Sequence, residues 1–144
     1  YVRVPMNWGD SYNTKLASYA GKAETALPAA SVPEQAADVS SVFRVYRDFA
    51  RARHACPALA HGRMVRHSMY NETLDAVPAL CAWIMDYEGD QALVLHNFSG
   101  GEINFLLHDN INGTVAVQGE VSVDSSGDLP RLTMGGWSSV VFDL

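Results

Sequence analysis

The hydrophobic period of the sequence changes near residue 62, and this change limits the chain to few folds. Between residues 31 and 56, apolar side chains recur every three or four positions, which is the spacing of one face of an α-helix. After residue 62, apolar and polar residues alternate in short runs, as they do in strands with one buried face. The sequence therefore predicts a helical segment followed by an all-β region.

The helical segment has clear boundaries. Ser31 is a capping residue, Pro33 fits the first turn, and Glu34 is placed to return a hydrogen bond to the cap. A break near 38–40 divides the segment into a short and a long helix, and Pro57 ends the long one. Because an amphipathic helix is not stable alone, we expect it to pack either on the β region or on a layer from elsewhere. Its apolar stripe comprises Val39, Val42, Phe43, Tyr46, Phe49, Ala50 and Arg53.

The β region contains eight candidate strands separated by Gly-, Asn- and Asp-rich turns. Short strands at roughly ten-residue spacing indicate an antiparallel sandwich. We therefore predict a mainly β fold, an antiparallel Greek-key β-sandwich preceded by a loop (1–31) and one long amphipathic helix. Trp83 and Trp137 are expected to be large core anchors. The predicted strands are 62–69, 80–87, 91–98, 102–107, 114–118, 120–124, 130–133 and 137–143.

Length and charge exclude several classes of protein. The 144 residues suffice for one ordinary domain, and a formal charge of −6 argues against a nucleic-acid partner. No apolar run approaches the roughly 20 residues of a membrane-spanning helix. A start at Tyr1 without an initiator Met indicates a piece of a longer protein, and the sequence shows no secretory leader. The localisation is not assigned, with the bacterial cytoplasm favoured over secretion.

Few residues suggest chemistry on their own. The five histidines lack zinc spacing, and the acidic residues at 86, 88 and 90 surround a hairpin turn, where solvation explains them. Cys56 and Cys81 are interpreted as free thiols, with a single bridge between them as the alternative. Three aromatic side chains are candidates for an auxiliary starch-binding surface, although core packing is favoured for the last of them: Tyr70, Tyr87 and Trp83.

Four segments, in order, resemble glycoside hydrolase family 13, the α-amylase family. Residues 3–8 (RVPMNW) resemble its R-x-P-M-x-W segment after the eighth barrel strand, although Gly9 stands before the acidic Asp10. Residues 42–53 followed by Pro-Ala-Leu (57–59) and Gly62 resemble the last barrel helix and its exit. Residues 91–99 and 137–144 resemble strands of the C-terminal domain, the second being its closing strand.

The resemblance implies that residues 1–60 end a catalytic (β/α)8 barrel and that residues 61–144 form a C-terminal sandwich that supports it. The parent would be a retaining hydrolase of α-glucans such as starch, with Asp, Glu and Asp catalytic residues upstream, so this chain would contain no catalytic residue. Arg3, Asn7 and Trp8 would contact substrate at the cleft rim. The chain would need no cofactor or metal of its own, and calcium is a candidate ion for the parent.

Two alternatives remain open at this stage. The same region could belong to a family 13 transglycosylase or isomerase of the trehalose synthase or amylosucrase type. It could also be a stand-alone carbohydrate-binding sandwich. The upstream sequence would separate the enzymes from the module, and product analysis would separate the two enzyme classes. Oligomeric state is not predicted.

Overall fold

A computed structural model describes residues 7–9, 30–67 and 79–144. The chain divides into two compact units, residues 1–48 and 49–144. Most of the predicted loop 1–31, and the end of the first predicted strand, lie outside the described residues.

Three helices are present in the described part of the chain: α1 (Val32–Ala37), α2 (Val42–Ala55) and α3 (Pro57–His61). The predicted break near residue 40 and the end before Pro57 are confirmed. Helix α3 is an additional element that the sequence did not predict. Pro57 occupies its first position, where a residue without an N–H is tolerated because no intrahelical partner exists for that N–H. None of these described helices is long and apolar enough to cross a membrane.

The β region forms two antiparallel sheets, as predicted. A five-stranded sheet has the order β1-β2-β3-β8-β5, and a three-stranded sheet has the order β4-β7-β6. Four connections therefore pass from one sheet to the other: β3 to β4, β4 to β5, β5 to β6, and β7 to β8. The strands are β1 (Arg63–Arg66), β2 (Leu80–Tyr87), β3 (Asp90–Asn97), β4 (Ile103–Leu106), β5 (Gly113–Gln118), β6 (Val121–Asp124), β7 (Arg131–Met134) and β8 (Ser139–Asp143).

The main core lies between the two sheets. Leu93 and Leu95 of β3 are fully buried there with Phe142 of β8 and Leu132 and Met134 of β7. A second cluster lies on the other face of β3 and β8, where Val94 and Val141 pack with Ala58 of α3. The alternation along β3 thus buries residues on both faces of the larger sheet, which is why this strand reads as an almost continuous apolar run.

Trp137 corrects one prediction. It is not a core anchor in a strand: β8 begins at Ser139, and the Trp137 side chain is 65% exposed. Its φ of +56° takes it out of the extended conformation, so its side chain does not follow the in-and-out alternation of β8. Trp83 is partly buried and packs against the second cluster, in line with the core role expected for it.

Candidate functional site

The segment Asn7–Gly9 carries two of the three residues predicted to contact substrate. The carbonyl oxygen of Asn7 accepts a hydrogen bond from the N–H of Val32, the first residue of α1, at 2.7 Å. Its side-chain oxygen accepts a second from the N–H of Gly9 at 3.1 Å, in a turn for which Gly9 adopts a φ of +78°. Trp8 lies between them with 49% of its surface exposed.

Asn7 and Trp8 are the two predicted site residues that the structure describes, and they are neighbours in the chain. Arg3 lies outside the described residues. The backbone of this turn is attached to α1, whose own start is fixed by a complete capping box between Ser31 and Glu34. The Ser31 N–H donates to the Glu34 carboxylate at 2.7 Å, and hydrogen bonding with Ser31 lowers the pKa of Glu34.

The apolar stripe of α2 is exposed. This helix contains no buried residue, and Val42 and Tyr46 are 71% and 76% exposed. Phe43 is also among the exposed large side chains. Phe49, further along the stripe, is partly buried. A 14-residue helix with most of its apolar stripe in water gains little from the hydrophobic effect.

At Gly62, which follows α3, the backbone passes close to the backbone of α3 and of β2. A Cβ at this position would collide with the carbonyl oxygen of Ala58 and lie 2.8 Å from that of Asp86 in β2. Ala58 is the buried residue of α3, with 1% of its surface exposed, and α3 packs on β2 and β3. The Pro-Ala-Leu…Gly motif is therefore structural here: the Pro begins α3, the Ala enters the second cluster, and the Gly permits contact with β2.

A row of rings crosses the outer face of the larger sheet. The His96 ring lies 5.1 Å from that of Trp83 and 5.6 Å from that of Phe98, measured between centroids. The Nδ1 atom of His96 is 2.6 Å from the hydroxyl of Ser139. Partial burial lowers the pKa of His96, because desolvation disfavours the charged imidazolium.

The other chemical candidates remain dispersed. Glu88 and Gly89, with φ values of 54° and 99°, form the tight turn between β2 and β3, and the Asp86 carboxylate accepts a hydrogen bond from Gln91 at 2.7 Å. Within residues 7–9, 30–67 and 79–144, no three His, Cys, Asp or Glu side chains group closely enough to hold a metal ion. Cys56 is buried, Cys81 is exposed, and both are free thiols.

Of the three candidate aromatics, Tyr70 lies outside the described residues. Tyr87 packs its ring 5.4 Å from that of His61, at the end of α3.

One residue organises the loops at one end of the sandwich, and the sequence analysis missed it. Asn97 is 1% exposed, and its side-chain nitrogen donates to the carbonyl oxygens of Gly101 and Gly135, both at 2.8 Å. Its side-chain oxygen accepts from the N–H and hydroxyl of Ser99. The available signal was an Asn at the end of an apolar strand, followed by the small residues 99–101.

Comparison with known proteins finds similarity to an α-amylase. The family model described as the α-amylase SusG C-terminal domain matches residues 80–141. The α-amylase SusG of Bacteroides thetaiotaomicron is 38% identical over 147 residues, covering 100% of this chain and 21% of that protein. The chain therefore spans about a fifth of the length of this relative.

Solved structures share the fold at lower identity. The trehalulose synthase MutB of Pseudomonas mesoacidophila superposes with a TM-score of 0.68 at 23% identity, over 98% of this chain and 25% of that one. A mutant of the same enzyme in complex with sucrose gives the same score and identity.

Proposed function

Because this chain belongs to glycoside hydrolase family 13, as a C-terminal region of the α-amylase type, we propose that it is the non-catalytic end of a larger enzyme that acts on α-glucans. Starch and maltooligosaccharides are the proposed substrates. They reach the enzyme through its catalytic barrel rather than through the sandwich.

The observation that carries this proposal is the exposed stripe of α2. Val42 and Tyr46 stand in water on a helix that has no buried residue. As the last helix of a barrel, α2 would bury this stripe against the neighbouring barrel elements, which gains about 25 cal/mol for each Å² of apolar surface covered. We accordingly assign residues 1–60 to the end of the barrel and residues 61–144 to the sandwich.

Support of the barrel is the proposed role of the sandwich. The contact of α3 with β2 and β3 attaches this short helix to the larger sheet, and the close approach at Gly62 leaves little room for movement between them. A rigid exit of this kind fits a domain that stabilises the flank of a barrel. The catalytic Asp, Glu and Asp of the family belong to the barrel, so the chain by itself would not hydrolyse starch.

Arg3, Asn7 and Trp8 are proposed to line the rim of the substrate cleft in the intact enzyme. The exposure of Trp8 and the fixed turn beneath it support a stacking surface for a sugar ring. Loops that follow barrel strands carry the sites of such enzymes, which fits the position of this turn just before the last helices.

A polar substitution in the α2 stripe tests the proposal. In the intact parent protein, Tyr46→Asp should lower the free energy of unfolding by about 2–4 kcal/mol, because it places a charge in a covered apolar surface. In the isolated chain the same change should have almost no effect, since Tyr46 is exposed. Arg51→Ala, an exposed position of the same helix, is the matched control. Equal effects of Tyr46→Asp in both contexts would contradict the proposal.

Hydrolase and isomerase parents share this fold, so the fold does not separate them. The products that the intact parent forms from maltoheptaose and from sucrose separate them. Release of short maltooligosaccharides supports a hydrolase, whereas use of sucrose as a glucosyl donor, seen as a longer glucan or an isomeric disaccharide, supports a transglycosylase or isomerase.

A further inference from the structure

Trp137 combines two features that rarely occur together in an aromatic residue. Its backbone has a φ of +56°, and its large side chain is 65% exposed. The left-handed region is unfavourable for a bulky residue, and such a conformation persists only where the surroundings impose it. Packing does not explain the choice of Trp, since most of the side chain stands in water.

The surroundings that impose this conformation are rigid. The N–H of Trp137 donates to the carbonyl oxygen of Ser99 at 2.9 Å. Immediately before it, Gly136 lies so close to the backbone of Gly100 that a Cβ would collide with the Gly100 carbonyl. Immediately after it, the buried Ser138 donates its hydroxyl to the carbonyl oxygen of Gly135 at 2.6 Å.

The buried side chain of Asn97 connects these turns by hydrogen bonds. Its amide group donates to the carbonyl oxygens on both sides, those of Gly101 and Gly135. The turn between β5 and β6 joins the same cluster, because the N–H of Gly135 donates to the carbonyl oxygen of Glu120 at 2.8 Å. Three turns from one end of the sandwich therefore hold Trp137 in place.

A second exposed aromatic precedes Ser99, whose carbonyl oxygen accepts the hydrogen bond from the Trp137 N–H. Phe98 follows Asn97 at the end of β3 and is 59% exposed. The indole nitrogen of Trp137 lies over the Gly100 backbone, 3.5 Å from where a Cβ would stand. The Glu120 side chain lies beside Gly135, and the Ser99 hydroxyl is at the surface of the same loop. The same turns therefore carry two exposed aromatic side chains, a hydroxyl and a carboxylate.

We propose that Phe98 and Trp137, the aromatic platform, bind a segment of an α-glucan chain at a site separate from the catalytic cleft. The C–H faces of glucose rings would stack on the two aromatic side chains, and sugar hydroxyls would hydrogen-bond to Ser99 and Glu120. This inference rests on the proposed function for its ligand class. Neighbouring polar and acidic groups suit an amphipathic sugar better than the apolar centre of a protein interface, from which Glu and Ser tend to be depleted.

The strain on Trp137 fits a binding role better than a structural one. If the only role of residue 137 were to form the turn, Gly would suit it better, because Gly adopts this positive φ without steric strain. Trp137→Gly should therefore fold at least as stably as the native chain while losing the ligand. A large loss of stability in this variant would overturn the proposal, because it would show that the indole serves the fold.

The binding test uses the chain of 144 residues labelled with 15N and titrated with maltoheptaose. The three tryptophans give three indole N–H signals, from Trp8, Trp83 and Trp137. The proposal predicts that the Trp137 signal shifts with saturation and that Trp137→Ala weakens binding about tenfold or more, as expected for loss of one aromatic contact. Phe98→Ala should weaken it by a smaller factor. Leu129→Ala, an exposed apolar side chain at the opposite end of β7, is the matched control and should bind normally.

Other results of the titration would contradict either the aromatic platform or the proposed function. Shifts confined to Trp8 or Trp83, or no shift with maltoheptaose or cellohexaose, would overturn the platform while leaving the proposed function intact. A Trp137 shift with β-linked cellohexaose and none with maltoheptaose would keep a sugar platform but contradict the α-glucan function. Concentration-dependent dimerisation that Trp137→Ala abolishes, seen by sedimentation, would show a protein interface and overturn the sugar site.

Discussion

The side-chain amide of Asn97 donates a hydrogen bond of 2.8 Å to the carbonyl oxygen of Gly135, which lies 38 residues further along the chain. This contact joins the end of β3 to the turn between β7 and β8. It thereby connects the two sheets through a polar group at the edge of an apolar core. Buried polar groups of this kind specify one arrangement of loops, because any other arrangement leaves them without partners.

Removal of this amide should destabilise the sandwich strongly. Asn97→Ala would leave buried carbonyl oxygens without donors and a cavity beneath the loops, so we expect a loss of about 2–4 kcal/mol in the free energy of unfolding. Urea denaturation of the chain measures it. Asn104→Ala, an exposed asparagine of β4, should change stability by less than about 0.5 kcal/mol. Equal midpoints for the two variants would show that the Asn97 network contributes nothing to stability.

A methyl group at Gly62 should also be costly. Gly62→Ala places a Cβ against the carbonyl oxygens of Ala58 and Asp86, and the resulting shift of α3 from β2 should cost about 1–3 kcal/mol. Gly101→Ala is the matched control, because nothing lies within 4 Å of its Cβ. Thermal unfolding compares them. A native-like melting temperature for Gly62→Ala would mean that the approach of these segments is not tight.

The pH dependence of stability should report the environment of His96. Its pKa is lowered from 6.5 by desolvation, so the unfolded state binds a proton more readily than the folded state. The stability contribution is therefore complete above pH 6.5 and is lost as the pH falls through the lower folded pKa. His96→Gln should flatten the decline in urea midpoint between pH 7.5 and 5.5. The exposed His54→Gln should keep the native slope, and a native slope in the His96 variant would contradict the assignment.

The start of α1 should depend on its cap. Ser31→Ala removes the side-chain acceptor for the N–H of Glu34, which costs a helix about 0.5–2 kcal/mol. Faster hydrogen exchange at the Glu34 and Gln35 amides measures it. Ser40→Ala, just beyond the end of the same helix, should leave these amides unchanged. Unaltered exchange in both variants would show that the capping box does not determine this turn.

Much of the fold follows from local pattern. The alternation around Leu93 and Leu95 predicts β3 because both residues point into one core, and Gly-rich turns predict where each strand ends. The capping box at Ser31 predicts the start of α1, because its hydrogen bonds are made within four residues of the chain.

The features that the sequence did not predict correctly depend on more than the local hydrophobic pattern. The five-residue α3 is too short to show a helical period. Trp137 was expected in the core because it is a large aromatic residue in a predicted strand. Its φ is instead set by the turn of Gly135 and Gly136 against Gly100. The role of Asn97 depends on backbone carbonyls that only the folded chain brings near. Arg3, Asn7 and Trp8 remain a prediction about substrate contact, which the described residues do not test.

We propose that this chain supports an α-glucan-acting enzyme without performing the reaction. Release of reducing sugar from starch by the purified chain tests it most directly, with the intact parent protein assayed alongside. We expect hydrolysis by the parent and none above buffer by the chain, because retention requires two carboxyl groups about 5 Å apart across the bond that is cut, and we propose that these belong to the barrel. Starch hydrolysis by residues 1–144 alone would contradict it.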